Sequence, residues 1–365
     1  MKKVGVRELA KLARVSVGTV DRALHARKEV NETTRQRILR IAEKHGYKPN
    51  LSARALSVGR ANIRIGVCIP REIHYFYDQL RDGILDEARR FEHAGVEVLY
   101  RPVNALGSNA SKIIRRLLDS DIQALVLTPG NPGEVAPLIE EAEKGRNVRV
   151  VCVATDDSQS SRSTSISVDP RLNGMLAAEL MAKFIPAGSE VAIVTGMVET
   201  EDNGKKVAGF SEVFRQESQG GKIVDVIEGH EEEEQTFRKC ARLLRAYPQL
   251  AGLYISTVNC IPVCKAIENR SSEGDIRVVA TDLFAEAVPY FLNGTVSASI
   301  YQNPYRQGQT AVRLIVDHLL HGMAFPKVRY LNPAIALRSN LGLFRELEGV
   351  VTDALSENRK MMTGS

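Results

Sequence analysis

Apolar positions along the chain follow two different periods. Through the first sixty residues they recur every three or four positions, the mark of amphipathic helices. Arg7 to Arg14 carries Leu9, Ala10 and Ala13 on one face. Val15 makes a tight connection, and Ser16 is placed to cap a second helix running from Val17 to Leu24. On that helix Val20 and Leu24 face inward, and Val17, Gly18, Asp21 and Arg22 face outward. A loop from His25 to Val30 leads to Asn31, which can cap a third helix carrying Ile38, Ile41 and Ala42 and stopping near Gly46. From Ile63 the pattern changes to continuous apolar runs alternating with amphipathic stretches. The runs are Ile63 to Pro70, Val96 to Arg101, Ala124 to Thr128, Val148 to Thr155, Glu190 to Thr195, Lys222 to Glu228, Gly252 to Ser256, Arg277 to Ala280 and Val296 to Tyr301.

Strands apolar on both faces and joined by helices predict parallel sheets covered on both sides. The number of runs is enough for two doubly wound lobes. The expected fold is therefore an all-α helix-turn-helix headpiece followed by an α/β, two-lobed, doubly wound parallel-sheet domain. Ligands of such sheets lie beyond the carboxyl ends of the strands, so two facing lobes would make a cleft.

Charge sharpens the division. The 365-residue chain has a net charge of +5, but residues 1–60 carry 15 Lys and Arg against 5 Asp and Glu, a balance of +10. The rest is mildly acidic. A basic head on an acidic body is a candidate polyanion-binding module. The composition, 44% hydrophobic and 25% charged, excludes a disordered or collagen-like chain. The five cysteines (Cys68, Cys152, Cys240, Cys260, Cys264) are odd in number and without zinc-ligand spacing, so free thiols in a reducing compartment are expected and no metal. The opening residues lack the apolar stretch of a signal peptide, and no run is long enough to span a membrane. A cytoplasmic protein without membrane contact is expected.

Two helices joined by so short a turn, the second with an exposed polar face, form a helix-turn-helix, whose second helix meets base edges in the major groove. Arg22 can read guanine O6 and N7 with two hydrogen bonds. Val17 can pack on a thymine methyl, and Gly18 lets the backbone approach. Ser16, Thr19 and His25 suit phosphate contacts. A three-helix bundle without a DNA role remains the alternative at this point.

The stretch from Val6 to Leu24, with Val30-Asn31-Glu32-Thr33-Thr34-Arg35 and Gly46-Tyr47-Lys48-Pro49-Asn50, resembles the headpiece of the lactose-repressor family of bacterial transcription regulators. Asp21 departs from the Ser usual there. The resemblance implies that Leu51 to Leu56 forms a hinge helix, ordered only on operator DNA, with Leu56 wedging open a minor-groove base step and Ala53 allowing close approach. Apolar wedges kink DNA in this way, and the segment is too short to be helical alone. A plain linker is the alternative.

The body offers no phosphate-binding glycine loop, nucleophile elbow or His-Glu-x-x-His. No catalytic set and no cofactor are expected. Asp156 and Asp157 are adjacent, which makes a poor glycosidase dyad. The acidic run Glu231 to Glu234 reads as the start of a solvated helix. What recurs at the strand ends is polyol chemistry: groups that bridge hydroxyls, and rings that cover an apolar sugar face. Phe76 and Tyr77 follow the first strand. Asp156, Asn203 with Lys206, Asn259, Asp282 and Gln302 follow later ones.

From Ile63 to about Phe344 the chain is similar to the type I periplasmic sugar-binding fold that the family uses as its effector sensor. Phe76-Tyr77 with Leu80-Arg81-Asp82-Gly83 resembles the ribose-binding proteins, and the resemblance puts Asp156, Asn259, Asp282 and Gln302 on sugar-binding positions. Asp157 and Lys206 stand where those proteins have Arg, which leaves a sugar acid, a sugar phosphate or another polyol open as ligand.

The expected organisation is a headpiece over 1–48, a hinge over 49–61, a sensor over 62–346 and a tail over 347–365. The chain should cross between lobes near Val168 to Pro170, Ser299 to Gln302 and Leu331 to Pro333. Lobe one would then hold 63–168 and 302–331, and lobe two 169–299 and 332–346. The implied function is a transcriptional regulator, mostly repressing, that binds double-stranded operator DNA as a homodimer under control of a sugar or sugar derivative. A higher oligomer stays open, since Leu347, Val351 and Leu355 give the tail only a weak stripe. The alternative is a sugar receptor without a DNA role.

Overall fold

The computed structural model describes residues 6–24, 30–44, 63–257, 259–270, 276–344 and 347. The first part is three helices, α1 (Val6–Leu12), α2 (Val17–Leu24) and α3 (Glu32–Lys44). Leu9, Ala10, Ala13, Val20, Ala23, Ile38 and Ala42 bury one small core between them. Arg14, in a left-handed backbone, turns the chain between α1 and α2. Asn31 caps α3 by accepting from Thr34 N at 2.8 Å.

Two six-stranded sheets make up the body. The first contains β1 (Ile63–Cys68), β2 (Val96–Tyr100), β3 (Ala124–Leu127), β4 (Arg149–Val153), β5 (Thr164–Val168) and β11 (Val328–Leu331), in the order β11-β5-β4-β3-β1-β2, all parallel. The second contains β6 (Glu190–Thr195), β7 (Lys222–Glu228), β8 (Gly252–Ile255), β9 (Arg277–Thr281), β10 (Val296–Tyr301) and β12 (Ala334–Ala336), in the order β12-β10-β9-β8-β6-β7. It is parallel except for β12 against β10. Each sheet is covered on both faces by a separate apolar cluster, so each lobe is a doubly wound sandwich.

The sequence pattern missed β5, β11 and β12. The β5 sequence, Thr-Ser-Ile-Ser-Val, looks polar, yet the whole strand is buried. Ser165 Oγ donates to Asp156 Oδ2 at 2.9 Å, so its hydroxyl is satisfied inside the lobe.

The chain changes sheet three times: between β5 and α7 (Pro170–Phe184), between β10 and α12 (Pro304–His321), and between β11 and β12. Asp169 opens α7 by accepting from Arg171 N at 2.9 Å. Glycines let the covering helices close on one another. A Cβ at Gly174 of α7 would overlap Lys206 O of α8 (Glu201–Glu217), and one at Gly308 of α12 would overlap Leu80 O of α4 (His74–Arg90). The first of these contacts sets the height of Lys206 on the cleft wall.

Candidate functional site

The headpiece presents the amino end of α2 to solvent. Ser16 Oγ accepts from Thr19 N at 3.1 Å and shares a hydrogen bond with Thr19 Oγ1 at 2.8 Å, so it is the helix cap. Val17 is 44% exposed. A Cβ added to Gly18 would meet only Ser16 Oγ, at 3.8 Å, so packing does not require glycine there. Thr19 and Arg22 are half-buried beside them. His25, Ala53 and Leu56 lie outside the described residues.

The second site is the cleft between the sheets, at the carboxyl ends of the strands. It encloses an empty volume of about 480 Å³, part of it open to solvent. The first lobe supplies Ile73, Phe76 and Tyr77 from the start of α4, Leu106, and Ala154 and Thr155 after β4. The second supplies Thr200, Asp202, Asn203 and Lys206 around the start of α8, Glu231 after β7, and Ser256 and Thr257 after β8. Gln302, on the second crossing, lies between them.

The lobes touch at both rims. Tyr75 stacks on Phe284 with ring centroids 4.1 Å apart, and Gln79 Nε2 donates to Leu283 O at 3.0 Å. Ser158 N donates to Glu201 Oε2 at 3.2 Å on the other side. A relay also runs through the second crossing. Gln302 donates to Asp282 through N (2.8 Å) and Nε2 (2.6 Å), Gln307 Nε2 donates to Gln302 O at 3.1 Å, and Ala154 N donates to Gln307 Oε1 at 3.2 Å.

Of the residues read from the sequence, Phe76, Tyr77, Asn203, Lys206 and Gln302 line this cavity. Asp156, Asn259 and Asp282 do not. Asp156 is held by Arg162 through both carboxylate oxygens and borders a separate recess with Tyr330 and Lys205. A buried guanidinium claims it before a ligand can. Asn259 accepts from Ile261 N at 3.0 Å at the start of α10 (Ile261–Glu268) and donates to Glu233 Oε1 at 2.9 Å, away from the cavity. Asp282 sits behind Gln302 and is buried. Burial pushes its carboxyl up to about 6, against the hydrogen bonds from Gln302 and the charge of Lys206.

Glu231 corrects the sequence reading of its acidic run. It precedes the solvated helix α9 (Glu233–Ala246) and adopts a left-handed backbone with φ 60°, which turns its carboxylate into the cavity. Thr257 Oγ1 donates to it. Burial raises its pKa above the usual carboxylate range, opposed by the Thr257 hydrogen bond and by Lys206. Gly196, at the end of β6, leaves the room, since a Cβ there would collide with Glu231 Oε1. Asp202, Thr155 and Thr257 were likewise not singled out. A glycine closing a strand was the available signal for Glu231.

Residues 6–50 match the family described as bacterial regulatory proteins, lacI family, and residues 65–322 match the periplasmic binding protein domain. The chain joins a lacI-family regulatory domain to a body of the periplasmic binding protein family. Catabolite control protein A of Priestia megaterium is 24% identical to this regulator over 331 residues, which cover 87% of it and 92% of the relative. A D-ribose/D-allose-binding protein of Pseudomonas aeruginosa is 25% identical, over 69% of the regulator and 82% of the relative. A solute binding protein of an ABC transporter from Burkholderia graminis, solved with D-arabinose, superposes with a TM-score of 0.72 at 23% identity, over 78% of the regulator and 98% of that chain. This lacI-family protein is thus a DNA-binding regulator of transcription with an effector-sensing body. The relatives are regulators and binding proteins, and no helix among the described residues is long and apolar enough to cross a membrane.

Proposed function

We propose that a sugar or sugar derivative binds between the lobes and sets the affinity of the headpiece for operator DNA. The observation that carries this reading is the cavity itself. Two aromatic residues on one wall face acceptors and donors on the other, as a polyol with apolar ring faces requires. The sugar-binding neighbours of the body support it. Phe76 and Tyr77 would cover the ring, and Asn203, Lys206, Gln302 and Glu231 would meet hydroxyls. Asp282 would hold Gln302 in place. Asp156 would act indirectly, through its pair with Arg162 inside the first lobe, and Asn259 through the start of α10 behind the cavity.

On the DNA side, Ser16, Val17, Gly18, Thr19, Arg22 and His25 would meet the major groove and its phosphates, and Ala53 and Leu56 the minor groove. Two headpieces meet two half-sites, so the working unit is a homodimer, acting in the cytoplasm as a repressor without catalysis. The corresponding division is a headpiece over 1–48, a hinge over 49–61, a sensor over 62–346 and a tail over 347–365. Effector and DNA then shift each other's affinity by the same factor.

The test is selection of a binding site from randomised duplexes by the full chain, followed by titration of that complex with sugars. A sugar that changes operator affinity supports the reading. A selected site whose affinity no polyol alters would remove the sugar from it.

A further inference from the structure

One buried ammonium serves several carboxylates at the cleft. Lys206 Nζ lies 2.7 Å from Asp202 Oδ2 and donates to Ser256 O at 3.3 Å. Glu231 faces the same cavity and receives the Thr257 hydroxyl. Asp282 stands directly behind Gln302. The other nearby cations are committed elsewhere, Arg162 to Asp156 and Lys205 to Glu201. His230, next to Glu231, is exposed and carries charge only when protonated. The cavity therefore has more carboxylates than cations: Asp202, Glu231 and Asp282 against Lys206.

Two further atoms point to what is missing. Thr155 and Asp202 both line this cavity, and Thr155 Oγ1 and Asp202 Oδ1 are buried with no hydrogen-bond partner among the described residues. Thr155 is 8% exposed. A carboxylate oxygen only accepts, so the ligand must bring donors to it. An ionised phosphate or carboxylate brings acceptors and a second negative charge, which this wall would repel. An ammonium brings three donors and the charge that the buried carboxylates lack.

We propose that the effector is a polyol bearing a protonated amino group, such as an amino sugar or amino cyclitol, whose ammonium is held by Glu231 and the free oxygen of Asp202. This rests on the polyol reading above and narrows it. Glu231 is then the residue that sets the charge of the ligand, and the Lys206–Asp202 pair is internally neutral and gives no foothold to an anion.

The experiment is calorimetric titration of the full chain with matched sets: glucose, galactose, mannose, ribose and myo-inositol, the amino derivative of each, and the phosphate of each. The expected result is an amino member binding about tenfold or more tighter than its neutral parent, as a charge-assisted hydrogen bond provides, with the phosphates not binding. Glu231→Gln should shrink that ratio toward unity. A neutral parent or a phosphate binding tightest overturns the amino assignment and leaves a polyol sensor standing. Binding by no member of any set overturns both readings. An unchanged ratio in Glu231→Gln removes Glu231 as the selecting residue. If that variant fails to fold, the ratio in the unaltered protein decides alone.

Discussion

Asp202 and Lys206, one turn apart on α8, form an ion pair at 2.7 Å on the wall of the cleft, while Asp156 and Arg162 form another within the first lobe. The two pairs have different consequences. Asp202→Asn removes a ligand acceptor and should weaken effector binding by about 10- to 100-fold, at about 1.4 kcal/mol per decade. Asp156→Asn leaves a buried guanidinium short of its partner and should cost about 3–5 kcal/mol of stability, with a smaller change in effector affinity. Denaturation curves and ligand titrations of both variants separate the roles. Equal loss of effector affinity in both would return Asp156 to the ligand.

Arg22→Ala should weaken operator binding by about 1–3 kcal/mol and relax one position of the selected site. Site selection with the variant checks this. A weaker complex with unchanged preference at every position would make Arg22 a phosphate contact.

Leu56→Gly should weaken the operator complex and reduce the DNA bend, as removal of an intercalating wedge does. Effector affinity measured without DNA should stay near that of the unaltered protein. Circular-permutation gel mobility reads the bend, and an unaltered bend would make residues 49–61 a linker.

Asp282 gives a prediction in pH. Its carboxyl is raised to about 6 by burial, above its value in an unfolded chain. The folded protein therefore holds the proton more tightly, and the group costs stability above about pH 6 and stops doing so as it protonates below. Asp282→Asn lacks this titration. Relative to that variant, the unaltered protein should gain as pH falls from about 7 to about 4, by up to about 3 kcal/mol at 1.36 kcal/mol per unit. Paired melting curves across that range measure it, and a constant difference would mean that Asp282 titrates normally when folded.

The apolar runs made most of the body legible, because a parallel strand buried on both faces cannot hide its composition. Strand β5 hid because Thr164, Ser165 and Ser167 are buried on a polar sequence, which needs partners from elsewhere in the fold, such as Asp156. The cleft was legible where a residue lies in the first turn of the helix after its strand, as Phe76 and Asn203 do. It was not legible where a distant or backbone effect decides. Asp156 is captured by Arg162, six residues on, and Glu231 is turned inward by a left-handed backbone that glutamate rarely adopts. Neither fact is written in spacing.

The cleft lies at the carboxyl ends of the strands, whereas the headpiece joins the body through the amino end of β1, at Ile63. That strand is six residues long, so its length alone sets the two apart by about 20 Å. A molecule of effector in the cleft and the chain that leaves for DNA thus stand at opposite poles of the first lobe. A change in how the lobes meet would have the hydrogen-bonded bridge of Gln302, Gln307 and Asp282 to pass through. The regulator would then read its effector as an angle between its two lobes.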